Sequence, residues 1–118
     1  MPWNEKVIEE SIIDNYGWEL AADTTSSWRI GDGTAPFYNF VYMSLAGFTE
    51  NDSLRSNQIR TGQLTRSEAF IRLKEDNQTR LESLSWYFDR VGIDASLAIS
   101  RINKYKTDAL KNVLTHID

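Results

Sequence analysis

The chain has 118 residues, no cysteine and a single histidine, and 41% of its residues are hydrophobic. This length gives one domain or a piece of a larger one, and the lack of cysteine excludes disulfides and thiolate metal sites. The formal net charge is −4, which argues against a general nucleic-acid binder, because such proteins are usually basic over a whole face.

Helix start and stop signals recur along the chain and predict an all-α fold. The predicted helices start at Asn4, Thr34, Thr49, Thr65, Thr79, Asp94 and Thr107. No run alternates between apolar and polar residues for long enough to predict a strand. We therefore expect a compact orthogonal bundle of six or seven short helices, forming a single domain over residues 1–118, with one long loop at residues 19–36.

Apolar residues at helical spacing predict which faces are buried. These residues are Val7, Ile8, Ile12 and Tyr16 in the first helix, Phe37, Phe40, Val41 and Leu45 in the second, Ala69, Phe70 and Leu73 in the fourth, Leu81, Leu84, Phe88 and Val91 in the fifth, and Leu97, Ala98, Ile102 and Tyr105 in the sixth. The third helix has few apolar residues, and we expect it to contact the rest of the protein through few side chains.

Charge is distributed unevenly along the chain. Residues 1–54 carry two basic side chains against nine acidic ones, whereas residues 55–80 carry six basic side chains against three acidic ones. A local basic segment favours a small anionic ligand or an acidic partner surface over nucleic acid. The longest mainly apolar run, residues 40–48, is too short to span a bilayer, and no signal peptide opens the chain. We expect a cytoplasmic protein with no membrane partner.

The stretch from residue 54 to residue 69 reads LRSNQIRTGQLTRSEA and combines a helix end, a turn and a helix start. Gly62 follows a basic last turn, which is the usual place for a glycine that ends a helix. Thr65 and Glu68 fit a capping box, in which each side chain bonds the other residue's backbone amide. Arg60 and Arg66 flank this turn.

Few side chains of this sequence could carry chemistry. His116 lies in the last predicted turn, so neither a Ser-His-Asp arrangement nor a metal site is expected. Arginine is the remaining candidate, because its planar guanidinium matches phosphate and carboxylate groups. The alternative for each arginine is a structural role, in which it pairs with a nearby acid or with the carbonyls at a helix end. This alternative is favoured most for Arg55.

The turn also resembles a known family. Residues 59–69 match the pattern IR-x-G-x-x-[ST]-R-x-E-A, which resembles the C-terminal part of N-acetyl sugar amidotransferases and related PP-loop ATP pyrophosphatases of lipopolysaccharide and O-antigen biosynthesis. The segment at residues 16–19 looks like the GW element at the end of a PP-loop domain, and residues 23–29 resemble the STWR segment of related pyrophosphatases. The resemblance implies that residues 1–33 end a PP-loop domain and that residues 34–118 form a helical C-terminal region.

Members of this family adenylate a substrate oxygen with ATP, and ammonia from a separate glutaminase then displaces AMP. The phosphate-binding SGGxDS motif is not in this sequence. The resemblance therefore implies a C-terminal fragment with no catalytic residue and no cofactor of its own, since ATP and Mg²⁺ belong to the missing N-terminal half. The implied partners are that nucleotide-binding domain, a glutaminase subunit and a nucleotide-sugar substrate. The implied substrate-binding residues are Trp28, Arg29, Arg60 and Arg66.

Two other functions stay open at this point. The chain could be a free-standing helical interaction module whose arginines form the partner site. It could also be a helix–turn–helix DNA-binding protein, although its negative net charge disfavours that function.

Overall fold

A computed structural model describes residues 3–20 and 33–115, the last nine of these as backbone alone. Over these ranges the chain is all-α, as predicted, with six helices and no strand. The helices are α1 (Glu5–Tyr16), α2 (Thr34–Ala46), α3 (Glu50–Arg60), α4 (Arg66–Asp76), α5 (Leu81–Val91) and α6 (Ala95–Thr115). None of them combines the length and the apolar content that crossing a bilayer requires.

Local capping explains most of the helix boundaries. The Asn4 side chain accepts a hydrogen bond from the Val7 amide at 3.2 Å and starts α1, and Gly17 ends this helix in the left-handed conformation at φ 61°. Thr49 and Thr65 each head a complete capping box, at the starts of α3 and α4. These four boundaries confirm the sequence prediction.

Two predicted helix starts are wrong, and a third, placed at about Thr79, is displaced by one residue, because the N-cap of α5 is Arg80. Gly33, not Thr34, is the N-cap of α2, and the helix already includes Thr34. Thr107 does not start a seventh helix, because α6 continues through it as one element of 21 residues. Threonine and aspartate are weak helix formers but not helix breakers, and without a glycine or proline nearby the helix continues.

The predicted long connection at residues 19–36 is described only at its two ends. Residues 17–20 have no regular structure, and α2 begins at Thr34, slightly earlier than expected. Residues 21–32 lie outside the described ranges.

Five of the six helices, α2 to α6, form two groups. In the first, α3 packs against α4; in the second, α2 packs against α5 and α6, and α5 also contacts α6. The principal extents of the protein are 51 × 39 × 21 Å, and its shortest dimension corresponds to about two helix diameters. Two layers of helices leave little room for side chains that are enclosed on all sides.

The core lies between α2 and α5. Leu84 and Phe88 of α5 are buried, and the Phe37 ring of α2 packs edge-on against Phe88 with ring centroids 5.6 Å apart. Gly33 allows this close packing. Its φ is 81°, and a Cβ at this position would lie 2.9 Å from the Cβ of Tyr87.

Several residues that were predicted to face inward are instead exposed. They are Val7, Ile8 and Tyr16 in α1, Leu45 in α2, Phe70 in α4, Leu81 and Val91 in α5, and Leu97 and Tyr105 in α6. The physical reason is that a two-layer arrangement covers only part of an apolar stripe. In α5, for example, Leu84 and Phe88 are buried, while Leu81 and Val91 at the two ends of the same stripe remain exposed.

Candidate functional site

The turn between α3 and α4 is built as the sequence predicts. Gly62 has φ 74° and reverses the chain. The Thr65 hydroxyl accepts from the Glu68 amide at 3.2 Å, and the Glu68 carboxylate accepts from the Thr65 amide at 2.8 Å. The Thr65 hydroxyl also donates to the Glu68 carboxylate at 2.7 Å. This bond and the one from the Thr65 amide lower the pKa of Glu68 below its usual value. The Gln63 side chain donates to the Trp3 carbonyl at 2.9 Å and ties the turn to the start of α1.

The predicted site residues are only partly placed by the structure. Arg60 and Arg66 are both exposed at this turn, one in the last turn of α3 and the other in the first turn of α4. Arg60 donates a hydrogen bond to the Asn57 side chain of its own helix. Trp28 and Arg29 lie outside the described residues.

Arg55 occupies a different environment from these two arginines. Its side chain is 4% exposed, and its guanidinium group donates to Glu5 at 2.7 Å, to Gln58 at 2.8 Å and to Asp76 at 2.8 Å. We call these four residues the Arg55 cluster. Glu5 belongs to α1, Arg55 and Gln58 to α3, and Asp76 to α4, so the cluster joins three helices. The geometry therefore supports a structural role for Arg55, in which it pairs with nearby acidic residues, over a role in ligand binding.

The electrostatics of the cluster fit this structural role. Burial tends to raise the pKa of Glu5, but hydrogen bonds from Gln58 and Arg55 and the positive charges of Arg55 and Arg72 outweigh it and hold the pKa below its usual value. Burial tends to lower the pKa of Arg55, but its bonds to Asp76 and Glu5 raise the pKa instead. Arg55, together with Arg72 at 3.7 Å from Glu5, thus offsets the two negative charges of the cluster.

A second polar network lies beside the cluster, where α3 begins and α4 ends. The Thr49 hydroxyl donates to the side-chain oxygen of Asn77 at 2.6 Å, and the Asn51 amide group donates to the same oxygen at 3.0 Å. Asn77 in turn donates to Asp52 at 3.0 Å. Polar side chains thus hold the two helices together along much of their length.

The sequence reasoning missed this polar packing of α3. Asn51, Arg55 and Gln58 are the buried residues of the helix, and their spacing of four and then three places them on one helical face. Nearly all residues of α3 are polar, so these three buried positions do not stand out in the sequence. Glu5, the first residue of α1, is the buried partner of Arg55 and Gln58.

The end of α1 and the residues after it expose large apolar side chains. We call Ile13, Tyr16, Trp18 and Leu20 the α1 exit; their exposed fractions range from 36% for Leu20 to 82% for Tyr16. The only buried residue of α1 is Glu5, so this helix is held to the protein mainly through the Arg55 cluster. The α1 exit is therefore an apolar surface that the described part of the chain does not cover.

Comparisons of the chain with protein-family models, with curated proteins and with solved structures gave no match. Across the described residues, no group of three or more histidine, aspartate or glutamate side chains is arranged to hold a metal ion. Two of the features described above are candidates for binding: the exposed apolar surface at the α1 exit and the two exposed arginines at the α3–α4 turn.

Proposed function

We propose that the chain is a non-catalytic helical docking domain that binds a partner domain through the α1 exit. The partner in this proposal is the nucleotide-binding domain of a PP-loop amidotransferase-type protein of surface-polysaccharide biosynthesis. A glutaminase subunit would supply ammonia to that assembly, and a nucleotide sugar would be its substrate. The proposal places the complex in the cytoplasm, in keeping with a chain that has no cysteine.

The observation that carries the docking role is the exposure of the α1 exit. Large apolar and aromatic side chains grouped on a protein surface mark sites of association, because their burial against a partner is favourable. Tyrosine and tryptophan are also the residue types that most often dominate the energy of an interface. Tyr16 and Trp18 provide both within three residues of each other, at the position where the family resemblance has its GW element.

The arginines of the α3–α4 turn support the substrate part of the proposal. Arg66 is the first residue of α4, where the positive end of the helix dipole disfavours a cation by about 0.3–1 kcal/mol. Helix stability therefore does not account for an arginine at this position. A sugar-linked phosphate bound between Arg66 and Arg60 would account for it, since the guanidinium group pairs well with phosphate.

The test of docking is a binding measurement with matched variants. The partner is the PP-loop domain encoded with this chain, identified by its SGGxDS motif, and affinity is measured by isothermal titration calorimetry. We expect Tyr16→Ser with Trp18→Ser to weaken binding at least tenfold, because each aromatic hot spot contributes about 2 kcal/mol or more. The matched control is Tyr105→Ser with Trp86→Ser, which removes an exposed tyrosine and an exposed tryptophan elsewhere and should leave affinity within about twofold.

Three results would each overturn a different part of this proposal. If the double variant and its control lost the same amount of affinity, the α1 exit would not be the docking surface. Failure to find any encoded PP-loop domain would remove the amidotransferase assignment. The substrate role is tested in the assembled enzyme, where Arg60→Ala and Arg66→Ala should raise the KM for the sugar, and an unchanged KM would contradict it.

A further inference from the structure

A second surface, separate from the α1 exit, combines aromatic rings with a carboxylate. Tyr38, Tyr42, Phe48 and Glu50 line an open groove of about 700 Å³. Tyr38 and Tyr42 lie one turn apart on α2, and their rings meet edge to face with centroids 6.2 Å apart and planes at 77°. Phe48 follows the end of α2 and forms another wall. We call these four residues the aromatic groove.

Glu50 is held in place within the aromatic groove. One of its carboxylate oxygens, Oε1, accepts from the Tyr38 hydroxyl at 2.5 Å and from the Asn39 side chain at 2.9 Å. Both donors are neutral, so they orient the carboxylate without neutralising its charge. Glu50 is also the first residue of α3, where the helix dipole favours a negative charge.

The chain segment that forms the aromatic groove is acidic. Residues 33–54 contain two acidic side chains, Glu50 and Asp52, and no lysine, arginine or histidine. Aromatic faces carry negative potential and attract cations placed over them. A fixed carboxylate beside several ring faces therefore selects for a cation over a neutral or anionic group.

The shape of the aromatic groove favours a side chain of a partner over a free small molecule. Sites for free ligands enclose most of the ligand surface, whereas Tyr42 and Phe48 remain about half exposed here. An occupant of an open groove needs further attachment, which a peptide chain provides. Arginine fits best among cationic side chains, because its planar guanidinium stacks on aromatic rings and pairs with a carboxylate at the same time.

We propose that the aromatic groove binds an arginine side chain of a partner protein, with the guanidinium stacked on Tyr42 or Phe48 and paired with Glu50. This site is independent of the α1 exit and does not depend on the identity of the partner that docks there. It defines a second contact surface, on α2 and the start of α3.

The test uses small probes and nuclear magnetic resonance. The labelled chain is titrated with N-acetyl-arginine N-methylamide and with the citrulline analogue, which keeps the shape of arginine but has no charge. We expect millimolar binding of the arginine probe, with amide shifts at Tyr42, Phe48 and Glu50, and binding of the citrulline probe at least about threefold weaker. Tyr42→Leu and Glu50→Gln should each weaken arginine binding about two- to fivefold. The matched controls, Tyr105→Leu and Glu82→Gln, should leave it unchanged.

Each contrary outcome rejects the proposal on a different ground. Equal binding of arginine and citrulline would show an apolar surface with no preference for charge. Shifts located elsewhere on the chain would show that the arginine site is not the aromatic groove. Absence of any amide shift at about 100 mM of the arginine probe would rule out the site, because a contact worth about 2–3 kcal/mol is more than half saturated at that concentration. Circular dichroism of the variants confirms that a loss of binding is not a loss of fold.

Discussion

The replacement Arg55→Leu tests whether a buried polar cluster, and not an apolar core, holds α1, α3 and α4 together. The substitution removes three hydrogen bonds of 2.7–2.8 Å. It leaves the carboxylate of Asp76 without its cation and that of Glu5 with Arg72 alone, at 3.7 Å, although both carboxylate side chains are only 8% exposed. Removing one partner of a buried ion pair typically costs about 3–5 kcal/mol, because the remaining charge stays buried without compensation. Leucine is apolar and of suitable size, so a cavity contributes little.

The assay is urea unfolding followed by circular dichroism at 222 nm, with a thermal melt in parallel. For a chain of this length, a loss of 3–5 kcal/mol corresponds to a melting temperature lower by about 12–20 °C. The control is Arg60→Leu, an exposed arginine on the same helix, which should change the unfolding free energy by about 0.5 kcal/mol or less. A change below about 1 kcal/mol for Arg55→Leu would refute the structural role of the cluster.

Three further predictions concern other elements. The pKa of Glu5 is lower in the folded protein than in the unfolded chain, so the stability that its carboxylate contributes is complete above its ordinary pKa of about 4.3 and is lost as pH falls through the folded value. Glu5→Gln should therefore reduce the dependence of the unfolding free energy on pH between pH 5 and pH 3. The same pH dependence in the variant and the wild-type protein would contradict this. Gly33→Ala should destabilise by about 2 kcal/mol more than Gly92→Ala in denaturant unfolding, because both have positive φ but only Gly33 lies against another helix. Asp108→Pro should cost about 3 kcal/mol, because α6 is continuous there; tolerance of this proline would instead indicate a helix start at Thr107.

The fold class and most helix boundaries could be predicted because they depend on local chemistry. A capping box at Thr65 or a left-handed glycine at Gly62 is determined by residues within a few positions of each other. The missing seventh helix shows the limit of this reasoning. A threonine that could cap a helix also fits inside one, and only a nearby break in the backbone would distinguish the two.

The burial pattern could not be predicted in the same way, because it depends on which helices meet. Apolar periodicity predicted the buried residues Leu84 and Phe88 on α5. It did not predict that Leu81 and Val91, at the ends of the same stripe, would be exposed. On α3 the buried residues are polar, and their partners Glu5 and Asp76 are 50 and 21 residues away from Arg55. Long-range pairing of this kind leaves no local pattern in a single sequence. Arg60 and Arg66 are exposed at the turn, and their role in substrate binding stays a prediction. In the α1 exit, Tyr16 was predicted to face inward but is exposed.

Hydrogen–deuterium exchange tests the docking role most directly. The chain is compared alone and mixed with the PP-loop domain encoded with it, and exchange is followed peptide by peptide. The account predicts slower exchange in the complex at residues 13–20, with little change in the exposed part of α4 around Phe70. Protection confined to α4 or α6, with residues 13–20 exchanging at their original rate, would contradict it.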